Sequence, residues 1–347
     1  MDTLTLFATL AILLVLVFDC SNGFHDAANI IATVIASRAM TPVSAVIIVG
    51  VFEFLGPILG GTAVANTIGS FIDLSAVDPL QAVKIVLSGV TGALCWNLVT
   101  WWKGLPSSSS HALVGGLIGA VAASVGGSHV VWGFGEMMHG RVHGVMKVLL
   151  ALLLSPIVGF LIGYLIQKLM LRLLSRATPR ANRHLRRSQY LTSIALAFSH
   201  GANDAQKSMG IITLILVLAG FQNAFVVPFW VALACSLALT VGVLSGGWRI
   251  VRTLGFAIYR VRPLHALDSQ LTSAVVILGA SLIGAPVSTT HVVTTSIMGI
   301  GAAERPRAVR WNKAIEIAFT WLITIPGAGI MAVSIGAVFH AAIGLFH

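Results

Sequence analysis

Apolar residues run through this chain in long blocks rather than in alternation. The blocks lie at 4–36, 42–62, 80–125, 145–168, 190–219, 224–246, 271–303 and 314–343. A stretch of roughly 20 apolar residues spans a bilayer as a helix, so the pattern predicts an all-α polytopic membrane protein. Two blocks are interrupted, 80–125 at 105–110 and 271–303 at 284–291, each by a proline followed by hydroxyl residues. Such a break predicts a helical hairpin with its turn at the proline. The composition agrees: 57% of residues are hydrophobic and 9% charged, against about a quarter charged in soluble domains. The start, M-D-T-L-T-L, has no basic n-region or A-x-A-like site and reads as a retained first span. Cys20, Cys95 and Cys235 lie in or beside apolar runs and imply no disulfide framework.

The two halves carry the same parts in the same order. G-F-H-D-A at 23–27 matches G-A-N-D-A at 201–205, and L-P-S-S-S-S-H at 105–111 matches A-P-V-S-T-T-H at 285–291. Asp26 precedes Pro106 by 80 positions and Asp204 precedes Pro286 by 82. This is a duplication, with a first repeat over 1–170, a basic loop at 171–188 and a second repeat over 189–347.

The net charge of +10 is distributed by side of the membrane and gives no nucleic-acid patch. If 80–125 and 271–303 are re-entrant hairpins that return to the side they start from, three crossings separate the N-terminus from residue 171, and the repeats are inverted. The loops on one side then hold 16 of the 21 basic residues, including Lys168, Arg172, Arg176, Arg180, Arg183, Arg186 and Arg187. Basic loops face the cytoplasm; the same charges could also meet anionic lipid. Full double spans keep the same parity. Length favours re-entrant arms, since the 15 residues of 271–285 make about 22 Å of helix, short of the roughly 30 Å core.

Polar residues sit inside the blocks. Asp19, Asn22, Asp26 and Asn29 share one helical face, and His200, Asp204 and Lys207 share another. A charge at the bilayer centre costs about 2.5–3.5 kcal/mol on insertion scales, so these stripes face each other or a wet cavity. Hydrogen-bond glue between helices accounts for one such residue, less readily for an Asp in each repeat. At each hairpin turn the hydroxyls suit a helix N-cap and the proline its first turn, and a helix N-terminus with free N–H groups attracts an anion. Broken helices of this kind in inverted repeats mark a secondary transporter. His111 and His291 fit core histidines of the turns, Glu316 pairs with Lys313, Lys84 snorkels, and Glu53 stays unassigned. His129, His139 and His143 read as surface-loop residues, with metal ligation the alternative.

G-F-H-D-A-A-N, L-P-S-S-S-S-H, G-A-N-D-A-Q-K and P-V-S-T-T-H resemble the signatures of the inorganic phosphate transporter family, over nearly the whole chain and in the family's order. The chain is similar in particular to its bacterial low-affinity permeases. The resemblance implies a cation–phosphate symporter of the bacterial inner membrane, two inverted repeats and a homodimer. It implies phosphate ligation by Ser108, Ser109, Ser110, Ser288, Thr289 and Thr290. It places Asp26, Asn29, Asn203 and Asp204 at the cation and substrate centre; the charge of Lys207, near Asp204, suits it to neutralise that carboxylate or to help hold phosphate. No cofactor is implied; phosphate travels free or as a metal–phosphate complex. Many members read G-A-N-D in both copies, followed by V-A-N. Here His25 replaces Asn in the first copy, and Gln206-Lys207 stand where A-N is expected in the second. A histidine beside Asp26 is a side chain suited to exchanging protons, so His25 favours a proton over sodium as the coupling ion.

An enzyme is disfavoured, because neither G-x-S-x-G nor H-E-x-x-H occurs. Symmetric duplication of the polar motifs also fits alternating access better than a single catalytic site; an anion channel, which uses similar dipoles, is the less favoured alternative. Sulfate shares phosphate's shape, whereas hydrogen phosphate has an O–H that an Asp can accept.

Overall fold

The computed structural model describes residues 2–105, 107–246, 259 and 261–344. Its helices are α1 (Thr3–Ala36), α2 (Pro42–Leu59), α3 (Ala63–Gly69), α4 (Pro79–Trp102), α5 (Ser109–Ser124), α6 (Phe134–Met138) and α7 (Gly144–Leu173). They continue with α8 (Ala181–Leu218), α9 (Phe229–Ser245), α10 (Pro263–Leu282), α11 (Thr289–Glu304) and α12 (Trp311–Gly344). The protein is an all-α membrane protein; among the described residues the only β pairing is an isolated bridge between Ile72 and Val130.

Five helices, α1, α2, α4, α7 and α12, are long and apolar enough to cross a bilayer. α8 is longer than any of them, at 38 residues, yet its polar face lowers its hydropathy. That face is turned inward: His200, Asn203, Asp204, Gln206 and Lys207 are all buried. α8 also revises the expected basic loop at 171–188. Only 174–180 lies between α7 and α8, and Arg183, Arg186 and Arg187 ride on the first turns of α8. A helix of that length rises about 57 Å and outruns the bilayer, so the charges stay in water while helical. Arg249, Arg252 and Arg260 of the next expected basic loop lie outside the described residues.

α4–α5 and α10–α11 form the two expected hairpins, and each closes at its base. Before α4 and after α5, the Asp73 N–H donates to the His129 carbonyl at 2.8 Å and the Val131 N–H to the Phe71 carbonyl at 3.0 Å. In the second hairpin, Arg262 and His265 at the start of α10 both meet Glu304 at the end of α11, His265 at 2.5 Å. α10 starts at Pro263, eight residues earlier than the apolar block at 271. At 20 residues it rises about 30 Å, so the length argument for a short first arm does not hold. The second arms, α5 and α11, have 16 residues each, about 24 Å.

The hairpin bases sit at opposite ends of α1. Lys84 of the first hairpin lies 5.0 Å above the ring of Phe7. Thirty residues on, Ser37 donates to Gln189 at 2.7 Å, and Gln189 donates to the carbonyl of Pro263 at 3.1 Å. The packing is also exchanged between halves: α1 lies on α9 and α8 on α2, while α5 lies on α12 and α11 on α7. Glycines permit the first two approaches. A Cβ at Gly23 would stand 2.1 Å from the carbonyl oxygen of Leu239, and one at Gly242 2.0 Å from that of Cys20. In the other pair, a Cβ at Gly201 would lie 2.2 Å from the Glu53 oxygen and one at Gly56 2.4 Å from that of Phe198. The Gly that opens each G-x-x-D motif is thus a point where backbones touch.

Candidate functional site: two hairpin tips on two aspartates

Both hairpin turns start their second helix in the same way. Ser108 caps α5 and Ser288 caps α11, each hydroxyl accepting the N–H of the histidine three residues on, at 3.2 and 3.3 Å. Capping uses an oxygen lone pair and leaves the hydroxyl proton free to donate. The next two residues in each turn reach α1 and α8. Thr290 donates to Asp26 Oδ1 at 2.9 Å and Ser109 approaches Asp26 Oδ2 at 3.5 Å. Thr289 donates to Asp204 Oδ2 at 3.2 Å. Ser110 accepts from the Lys207 ammonium at 2.6 Å and donates to the Val287 carbonyl in the opposite tip. Asp26 is therefore tied to the hairpins of both halves, and Asp204 directly to that of its own. None of these side chains is more than 5% exposed.

The expected site residues fall into two groups. Asn29 donates to Asp26 at 2.8 Å and to Thr290 at 2.9 Å, and His25 lies 3.3 Å from Asp26. Lys207 bonds Asp204 at 2.6 Å and the Val287 carbonyl at 2.9 Å as well as Ser110, which uses all three ammonium donors. Asn203 points elsewhere. Its amide donates to Ser281 and to the Ala285 carbonyl, fastening the turn of the second hairpin. It follows that His25-Asp26 and Asn203-Asp204 are not equivalent in space.

Two further residues belong here. His200 Nδ1 donates to Glu53 at 2.6 Å, while its Nε2 lies 3.4 Å from Asp204 and 3.9 Å from Asp26. One imidazole thus spans three carboxylates, all buried. The Glu53 pairing crosses 147 residues; the sequence sets His200 on the polar face of Asp204 but gives no sign of Glu53 as its partner. Ligand atoms of Asp26, His200 and Asp204 lie within 4.8 Å of one another, close enough to share one cation. Such a cation would compete with Lys207, Ser109, Thr289 and Thr290 for the same oxygens. Below the tips, the rings of His111 and His291 lie 4.6 Å apart, and His291 stacks on Trp321.

Chemically, the site offers hydroxyl donors, an ammonium and two helix N-termini to an anion, and carboxylates to a cation or a proton. Any ligand would have to displace hydrogen bonds that now run between hairpin tips and aspartates. Comparison with known proteins agrees with this division. Residues 22–332 match the phosphate transporter family. A Bacillus subtilis protein named "Probable low-affinity inorganic phosphate transporter" is 37% identical over 331 residues, covering 94% of this chain and 95% of its own. A Rhizobium meliloti protein of the same name is 40% identical over 319 residues, 91% of this chain and 92% of its own. In fold, the chain is similar to a solved structure named "The sodium-dependent phosphate transporter", with a TM-score of 0.84, 23% identity, and coverage of 96% of this chain and 99% of that one. By this family match and these full-length relatives, the chain belongs to the phosphate transporter family, whose members are carriers and not enzymes.

Proposed function

We propose that the protein imports inorganic phosphate through a bacterial inner membrane by proton symport. The observation that carries this reading is the convergence of Ser109, Ser110, Thr289 and Thr290 on Asp26, Asp204 and Lys207. Phosphate displaces the carboxylates from these hydroxyls, keeps the ammonium as its counter-charge, and presents its own O–H to an aspartate. Sulfate offers no such proton. The cation that offsets the freed carboxylates is a proton, because Lys207 and the two imidazoles already line the space that a sodium ion would need. The anion travels free or with a divalent metal.

The repeats, 1–170 and 189–347, are inverted about this centre, and the hairpins are re-entrant. Their bases lie near opposite ends of α1 while their tips meet at Asp26 and Asp204, which supports that reading. The segment around 171–188 is cytoplasmic, and two copies form a homodimer. A cysteine at Ser188 in a Cys-free background is expected to resist an impermeant thiol reagent in intact cells, whereas one at Ser75 reacts. The reverse labelling would overturn the topology.

Proteoliposomes with sodium and pH gradients imposed separately test the coupling. Acid outside at symmetric sodium is expected to drive phosphate accumulation, with sulfate a poor competitor. Uptake driven by sodium at symmetric pH, with no response to the pH gradient, would instead assign the carboxylate cluster to sodium.

A further inference from the structure

Among the described residues, two fully buried acids have both carboxylate oxygens without a hydrogen-bond partner, Asp19 and Asp268. Asp19 is the one on the α1 face that leads to Asp26. Seven residues separate them, and Asn22 stands between, on the same face. The Asn22 amide donates to Asp204 at 3.4 Å, and its carbonyl oxygen has no partner. From α8, the hydroxyl of Ser208 is turned toward Asp19 and is itself buried and unpartnered. The close approach of α9 at Gly242 covers the other side, where a Cβ would meet the Cys20 carbonyl.

We propose that Asp19 is a second proton-binding site of the transport cycle, carrying its proton alongside the charge changes at Asp26 and Asp204. An ionised carboxylate with the Ser208 hydroxyl as its sole nearby donor is costly to bury, and a proton removes that charge without any ligand shell. A hard metal ion needs several more oxygens than this pocket supplies. Protonation also adds a second donor to the pocket. The carboxylic acid O–H is a donor, and the Asn22 carbonyl and Ser208 hydroxyl are acceptors in want of one. The titratable and charged groups facing Asp19 are Cys20 beside it, Cys235 on α9, Asp204 and Lys207 on α8, and Glu53 on α2. Lys207 is already engaged by Asp204, so neutralisation of Asp19 falls to a proton taken up on one side of the membrane and released on the other. Asn22, bonded to Asp204, makes that release sensitive to what occupies the central site.

This inference rests on the proton-symport reading, and the test separates the two. Purified full-length protein in proteoliposomes is given a pH gradient at symmetric sodium, and the steady-state phosphate ratio is measured, with counterflow at equal pH used to normalise for folded carrier. Asp19→Asn mimics the protonated acid permanently and is expected to lose one coupled proton, so its accumulation falls about tenfold per unit of pH gradient. Should that chain not assemble, Ser208→Ala serves. It removes a hydroxyl that favours the ionised form, so the pH at half-maximal coupling is expected to rise. A wild type indifferent to the pH gradient overturns the proton reading and this inference with it. A wild type that responds, with Asp19→Asn reaching the same ratio or Ser208→Ala keeping the same midpoint, overturns the inference alone.

Discussion

Lys207→Met is expected to abolish phosphate uptake and to lower the thermal stability of the purified carrier. The ammonium holds Asp204, Ser110 and the Val287 carbonyl at once, so its loss leaves a buried carboxylate facing other carboxylates. Breaking one side of a buried ion pair costs about 3–5 kcal/mol, a large share of a typical folding free energy of 5–15 kcal/mol. Asp204→Asn in the same chain removes the stranded charge. The double variant is therefore expected to regain most of the lost stability in a detergent melt while uptake stays absent. The two readouts separate what the pair does for the fold from what Lys207 does for the anion. Wild-type uptake in Lys207→Met would exclude the ammonium from the phosphate site.

The second large effect belongs to the tip hydroxyls. Ser109→Ala with Ser110→Ala, and Thr289→Ala with Thr290→Ala, each delete two donors from one hairpin. A hydrogen bond to a charged partner contributes about 1.5–3 kcal/mol, so each hydroxyl lost weakens phosphate binding roughly tenfold or more. Ser108→Ala is the control for damage to the helix start, because its hydroxyl caps α5. Losing a cap costs about 0.5–2 kcal/mol of stability. The melt of the Ser109/Ser110 variant is expected to change less than its affinity. Binding at the wild-type level in both double variants would mean that phosphate is held elsewhere.

Much of this arrangement was legible in the sequence, and the failures have physical reasons. The apolar blocks 4–36 and 145–168 nearly coincide with α1 and α7, because those helices face lipid along much of their length and the blocks record it. The apolar block opens at 271, eight residues into α10, because polar residues such as Arg262, His265 and Asp268 interrupt the apolar run before it. In the fold, His265 is buried against Glu304 and Asp268 is buried within the helix packing, so tertiary contacts outweigh local polarity. Asp26 and Asp204 announced themselves by duplication. Glu53 and His200 could not, since their pairing joins helices from different halves and neither belongs to a repeated motif. Asn203 is the converse case: motif likeness suggests a place beside the cation, and its contact with Ser281 is not legible in the sequence.

The exchanged packing bears on how the protein is made. α1 leaves the ribosome long before α9, yet its glycine seat, Gly23 on Leu239, is built from α9. The hydroxyls that meet Asp26 come from both hairpins, the later one near residue 290. Until those segments are synthesised, the nascent α1 carries Asp19, Asn22, Asp26 and Asn29 with none of their eventual neighbours from the second half. Neither half can mature as an independent unit, and a truncated product would expose a polar stripe to lipid or to the membrane's quality-control proteases. α1 has to be held, sheltered in the insertion machinery or against α2, until α11 has been translated. Assembly therefore closes late and all at once, with the two halves completing each other.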